Sequence, residues 1–197
     1  IYAAGDCLGH FQFTHYADWQ GRMAARNALL PGASKGRRDT VPWTTFTEPE
    51  IAHTGLTESQ AREQYGDGVD AAVVPMSDVD RARAEGATQG FIKVVHRGGK
   101  VLGVTIVSER AGENITEWIH VLDGRLSVVD VATSIHVYPT YARGNVRAAG
   151  EVLSARLRSG PLSKALDVAS SAALGWMRWW HSSGRAEAGD GTGADAE

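Results

Sequence analysis

The stretch FIKVVHRGGKVLGVTIV, Phe91–Val107, decides the fold. Two β-rich runs flank Gly98-Gly99, and a two-glycine step between such runs is a strong signal for a tight antiparallel hairpin. Upstream, DAAVVPM (70–76) is another strand candidate. WTTFTEPEIAHTGL (43–56) is rich in Thr, aromatic and β-branched residues and reads as strand interrupted at Pro49-Glu50. Thr57 and Gln60 stand three apart, as a capping box requires, and open a short helix TESQAREQY. Downstream, GENITEWIHVLDG (112–124) has helical spacing, Ser127 caps a shorter helix VVDVATSI, and NVRAAGEVLSARLRSG (145–160) reads as a third. Strands and helices are segregated, so the expected class is α+β, an antiparallel sheet with flanking helices.

The ends read differently. IYAAGD (1–6) reads as a strand end running into a turn, and THYADWQGRMAARNALL (14–30) as a helix with Thr14 as N-cap, stopped at Pro31-Gly32. Residues 1–32 therefore look like the last strand and helix of another domain. GASKGRRDT (32–40) is a basic linker before a second domain at 41–158. At the other end, Pro161 opens an amphipathic helix, 161–181, with Leu162, Leu166, Ala169, Ala173, Trp176 and Trp180 on one stripe. That stripe suits packing on its own dimer. An interfacial membrane helix is the sharper reading, and the sparse basic residues, Lys164 and Arg178, count against it. Residues 182–197 are small, polar and acidic, a composition that reads as a disordered tail.

A formal charge of −3 gives no reason to expect nucleic-acid binding. A single cysteine, Cys7, excludes an internal disulfide and a cysteine-rich metal site. It fits a reducing compartment, and cytoplasmic placement is expected. No apolar run of about 18 residues is present to span a membrane.

Three segments together carry a family resemblance. IYAAGD followed by FQFTHYADWQGRMAARN resembles the second flavin-contacting segment of the pyridine nucleotide-disulfide oxidoreductases. VPWTTFTEPEIAHTGLTESQARE resembles the start of their C-terminal dimerisation domain. DVDRARAEGATQGFIKVVHRGGKVLGVTIVSERAGENITEWIHVL resembles its middle. The likeness covers residues 1 to about 158 and is nearest to dihydrolipoamide dehydrogenases and mercuric reductase-like flavoproteins. It implies a homodimeric oxidoreductase using FAD, with NAD(P)H bound through a domain absent from this chain. The family's glycine-rich dinucleotide loop and redox-active cysteine pair are also absent here, so a C-terminal fragment is expected.

The resemblance assigns roles to particular residues. Asp6 matches the aspartate that accepts a hydrogen bond from the flavin ribityl chain; an Asx-turn role is the plainer reading. Gln12, Phe13, Thr14 and His15 match the segment whose backbone amides approach the isoalloxazine edge. A helix N-terminus there would stabilise negative charge on reduced flavin. Packing is an equal role for His15, and Cys7 reads as a small structural residue. Arg81–Gly86 looks like a loop near the dimer contact. His53, His96, His120 and His181 show no metal-ligand spacing.

The loop SIHVYPTYARGN, Ser134–Asn145, departs from the family pattern. Disulfide reductases carry a histidine directly before Pro-Thr and a glutamate five residues after it. That pair reaches into the partner's flavin site and handles the proton of a thiol substrate. Here Tyr138 precedes Pro139-Thr140 and Arg143 stands at the glutamate position. Tyrosine is a weaker base than histidine at neutral pH, and arginine stays protonated. Mercuric reductases also place a tyrosine there, but they need a C-terminal cysteine pair that this chain lacks. Tyr138 and His136 remain the candidate catalytic residues, Tyr138 as a hydrogen-bond donor to a small-molecule electron acceptor such as a quinone. Two alternatives stay open: a non-catalytic dimerisation or scaffold module, and a degenerate flavoprotein.

Overall fold

A computed structural model of the chain describes residues 1–32, 38 and 40–159. The 161–181 helix, the 182–197 tail, His181 and most of the linker lie outside them. The chain divides into two compact units, Ile1–Ala155 and Arg156–Glu197; of the second, only 156–159 are described, as helix.

Five antiparallel strands form one sheet, β1 (Trp43–Thr45), β2 (Glu50–Gly55), β3 (Val69–Pro75), β4 (Phe91–Arg97) and β5 (Lys100–Ser108), in the order β1-β2-β5-β4-β3. The α+β expectation holds. The β4–β5 hairpin closes at Arg97↔Lys100, with Gly98 and Gly99 at φ 57° and 86°. Both central residues need the left-handed region in this tight turn, which is why glycine occupies both. The segment read as one interrupted strand is two, β1 and β2, paired Trp43↔His53 to Thr45↔Ile51.

Helix α2 (Glu58–Tyr65) opens with the expected capping box, in which Thr57 and Gln60 bond each other's backbone amides. Ser127 caps α5 (Val128–Thr133) in the same way with Asp130. Helices α4 (Ala111–Leu122) and α6 (Arg143–Ser159) complete the set that packs with the sheet. The main core joins Ala52, Ile92, Val104 and Ile106 of the sheet to Trp118 of α4 and Ala148 and Val152 of α6. A smaller cluster, Ala61, Val69, Val95 and Leu102, packs with Leu56 and Tyr65. Glu50 closes one end of α4, its Oε2 accepting from Gly112 N at 2.9 Å, a carboxylate where the helix dipole favours one.

Four local expectations are corrected. Thr14 is not an N-cap: Phe13 has the extended backbone of the cap, φ −120° and ψ 140°, and Thr14 is the first residue of α1 (Thr14–Leu29). Residues 1–5 form no strand, because no described strand lies beside them to supply a ladder. They are tied to α1 instead, Gly5 N donating to the buried Gln20 Oε1 at 2.8 Å and Tyr2 Oη to Asn27 O at 3.0 Å. Arg81–Ala84, read as loop, belongs to a short helix, α3 (Asp80–Ala84), whose Ala82 is buried. Helix α6 starts at Arg143, two residues earlier than expected, so Arg143 opens a helix rather than ending a loop.

Candidate functional site

A cleft of about 540 Å³ lies at the start of α1. Gln12, Phe13, Thr14 and His15 form one wall; Pro42, Trp43, Thr44 and Phe46 form another, and Gly112, Ile115, Thr116 and Ile119 of α4 the third. The first amides of a helix have no intrahelical acceptor, so this end of α1 presents donors and partial positive charge. The His15 side chain is committed: its Nε2 lies 2.7 Å from Pro42 O, so it carries the hydrogen and donates. The ring also stacks on Phe13 at 5.3 Å. Beside the cleft Arg38 ties α1 to the end of α4, pairing with Asp123 and lying 5.4 Å over the Trp19 ring. Asp6 is not brought to this cleft. It begins a 3₁₀ turn, Asp6–Leu8, exposed, with its carbonyl accepting from Gly9 N. Cys7 is exposed, and its Sγ donates to Ala4 O.

The loop after α5 is the second element of the site. Ile135, Val137 and Tyr138 point outward, 103%, 76% and 65% exposed, which is an apolar face left bare on this chain. The Tyr138–Pro139 peptide is cis. Thr140 Oγ1 donates to Val137 O at 2.7 Å and Arg143 N donates to Thr140 O, closing the turn onto α6. The next aromatic, Tyr141, is buried. Its Oη donates to Glu85 Oε2 at 2.7 Å, and burial first, then that carboxylate, push its pKa up to about 12.

His136 turns inward between its exposed neighbours. Its Nε2 lies 2.9 Å from Glu117 Oε1 on α4, and its Nδ1 lies 3.0 Å from Ser134 O. Glu117 is held in turn: Asn145 Nδ2 donates to its Oε2 at 3.0 Å and to Asn114 O at 3.0 Å. The Asn145 Oδ1 accepts from Trp118 Nε1 at 2.9 Å, and both of those side chains are buried. Sequence reasoning looked for a carboxylate within the loop, found none, and so missed Glu117, Asn145 and Trp118. The available signal was faint, two polar residues on otherwise core-facing helix positions.

His53 and His96 belong to the sheet, and the His53 ring lies 5.6 Å from that of Trp43 on the cleft wall. His53 bonds Thr105 Oγ1 and Gly55 O, and His96 is buried with both ring nitrogens unpartnered. Burial lowers both pKa values. Among the described residues, no group of three metal-ligating side chains converges, and no helix is long and apolar enough to cross a membrane.

Residues 41–149 match the pyridine nucleotide-disulphide oxidoreductase dimerisation domain. The chain belongs to this family. A mercuric reductase of Bacillus cereus is 39% identical over 146 residues, which is 73% of this chain and 23% of that protein. A dihydrolipoyl dehydrogenase of Bacillus subtilis is 34% identical over 151 residues, 76% of this chain and 32% of that protein. In three dimensions the chain is similar to LpdA from Mycobacterium tuberculosis, with a TM-score of 0.69 and 34% identity over 76% of this chain and 33% of that one. It is also similar to RclA, an HOCl-induced flavoprotein disulfide reductase of Escherichia coli, with a TM-score of 0.70 and 26% identity over 76% and 35%. The chain thus spans about a quarter to a third of the length of the relatives it matches. The family match spans the two later of the three segments, and the resemblance holds.

Proposed function

We propose that this chain is the C-terminal part of a homodimeric, FAD-dependent NAD(P)H oxidoreductase of the cytoplasm. In this reading it supplies the dimer interface, one wall of the flavin pocket, and the loop that closes the partner's site. The observation that carries the proposal is the cleft at the start of α1, where Gln12 to His15 face Trp43 and Phe46. A planar ring edge fits a cleft with aromatic walls, and unpaired amides at a helix start fit negative charge on that edge. The backbone of Thr14 and His15 would hold the ring, and the exposed Asp6 carboxylate is free to accept from a sugar-like hydroxyl. When bound, FAD supplies hydride acceptance and electron delivery; NAD(P)H would enter through a domain outside this chain.

The loop sets the class of acceptor. With Tyr138 exposed before Pro139 and Arg143 opening α6, no histidine–glutamate pair occupies the positions that serve thiol substrates in the family. An exposed phenol donates a hydrogen bond well and accepts a proton poorly at neutral pH. That suits a quinone or another carbonyl acceptor better than a disulfide.

The test is to express the reading frame together with the coding sequence that precedes Ile1, and to record the visible spectrum and sedimentation of the product. A yellow dimer, bleached anaerobically by NADH or NADPH and reoxidised faster by a quinone than by a disulfide, is expected. A colourless protein, or a yellow one that prefers disulfides, would sink the proposal.

A further inference from the structure

The hydrogen bonds around His136 fix how many hydrogens the site holds. Trp118 Nε1 can only donate, so the Asn145 atom 2.9 Å from it must be the oxygen. The amide NH2 of Asn145 then faces Asn114 O and Glu117 Oε2, both acceptors. At the far end Ser134 O can only accept, so His136 Nδ1, 3.0 Å away, must carry a hydrogen. A neutral imidazole has one ring hydrogen, and this bond uses it. The contact between His136 Nε2 and Glu117 Oε1, 2.9 Å, needs another, carried by the ring or by the carboxyl.

We infer that Glu117 and Asn145 are positioning residues, and that the His136–Glu117 pair holds one proton beyond a neutral imidazole beside a carboxylate. The functional consequence rests on the reading of this loop proposed above. In that reading His136 has no free ring lone pair with which to act as a base. It is the inward anchor of the loop, and Tyr138 is the group left facing an acceptor. The pair is overall neutral in either placement of the proton, which suits side chains only 11% and 22% exposed. Glu117 orients the ring, Asn145 orients Glu117, and Trp118 fixes the direction of Asn145, so a buried indole on α4 sets the polarity of an exposed loop.

The experiment is ring 15N–1H correlation spectroscopy of this chain with labelled histidine, at about one pH unit above the ordinary histidine value. His136→Asn assigns the signals, and the carboxyl 13C shift reports Glu117. Two ring N–H groups on His136, or one together with a protonated Glu117, are expected. Glu117→Gln should then leave the ring with Nδ1–H alone, because the Gln carbonyl must face Asn145 and its NH2 donates to Nε2. One ring hydrogen beside an ionised Glu117 in the unaltered chain would overturn the inference, so a variant that fails to fold leaves it fully testable. A flavin-free parent protein would overturn the proposed function and leave this hydrogen count standing.

Discussion

Trp118 donates its indole hydrogen to Asn145 across 27 residues of sequence, at 2.9 Å, and neither side chain meets solvent. Helix α4 is thereby pinned to α6 by a bond that is buried and points one way. The Asn145 amide spends its remaining hydrogens on Asn114 O and Glu117, so a single side chain satisfies three separate groups.

Removing that side chain leaves all three without it. Asn145→Ala should cost about 3 kcal/mol, the penalty of stranding buried polar groups plus a small cavity. Urea unfolding followed by circular dichroism reads this as a lowered midpoint with an unchanged slope. An unchanged midpoint would mean that water replaces the amide at no cost.

Glycines divide by what a Cβ would strike. At Gly103 it would stand 1.9 Å from Leu56 O, and at Gly90, with φ +103°, 2.0 Å from Val107 O. Backbone atoms cannot yield there, so alanine at either position should cost about 3 kcal/mol or block folding. At Gly21, mid-helix in α1, nothing lies within 4 Å. Gly21→Ala should stabilise by about 0.5–1 kcal/mol. Thermal midpoints of the three variants in parallel make the comparison.

Acid should loosen the sheet through His96 and His53. Desolvation holds both below the ordinary histidine value; Asp70 opposes it for His96 and the Gly55 carbonyl for His53. The unfolded chain takes up protons near about pH 6.5 while the folded chain does not. Stability from these groups is therefore complete above that pH and falls as pH drops through it. His96→Phe should flatten part of the decline in a series of urea titrations, and His53 should retain the rest.

Base should act through Tyr141. Its folded pKa of about 12 lies above the ordinary value near 10, so its contribution is complete below about pH 10 and is lost as pH rises towards 12. Tyr141→Phe should remove that alkaline loss and cost about 1 kcal/mol at neutral pH for the bond to Glu85. Stability measured at neutral and alkaline pH separates the two effects.

Tyr138 should matter to turnover and not to folding. At 65% exposure it contributes little to the core, so Tyr138→Phe should leave the unfolding midpoint within about 0.5 kcal/mol. On the function proposed above, the same change in the flavin-loaded parent should slow acceptor reduction roughly tenfold, the scale of one lost hydrogen bond in a transition state. Equal turnover by the two proteins would remove Tyr138 from the acceptor site.

The amino-acid sequence by itself determined what depends on neighbours along the chain. The Gly98-Gly99 hairpin, the Thr57–Gln60 cap and the Ser127 cap each need residues no more than three or four positions apart, and each formed as read. The ordered segments between Val41 and Leu122 likewise sufficed to place the chain in its family. Tertiary structure alone decided what depends on groups far apart in the chain. Residues 1–5 have strand composition but, among the described residues, no ladder partner beside them, so they stay outside the sheet. The loop at Ser134–Asn145 looked devoid of a carboxylate, yet α4 delivers Glu117 to His136 from 19 residues upstream. Periodicity reports which face of a helix is buried. It does not report which distant side chain that face will meet, because that pairing is fixed only when the sheet brings α4, the loop and α6 together.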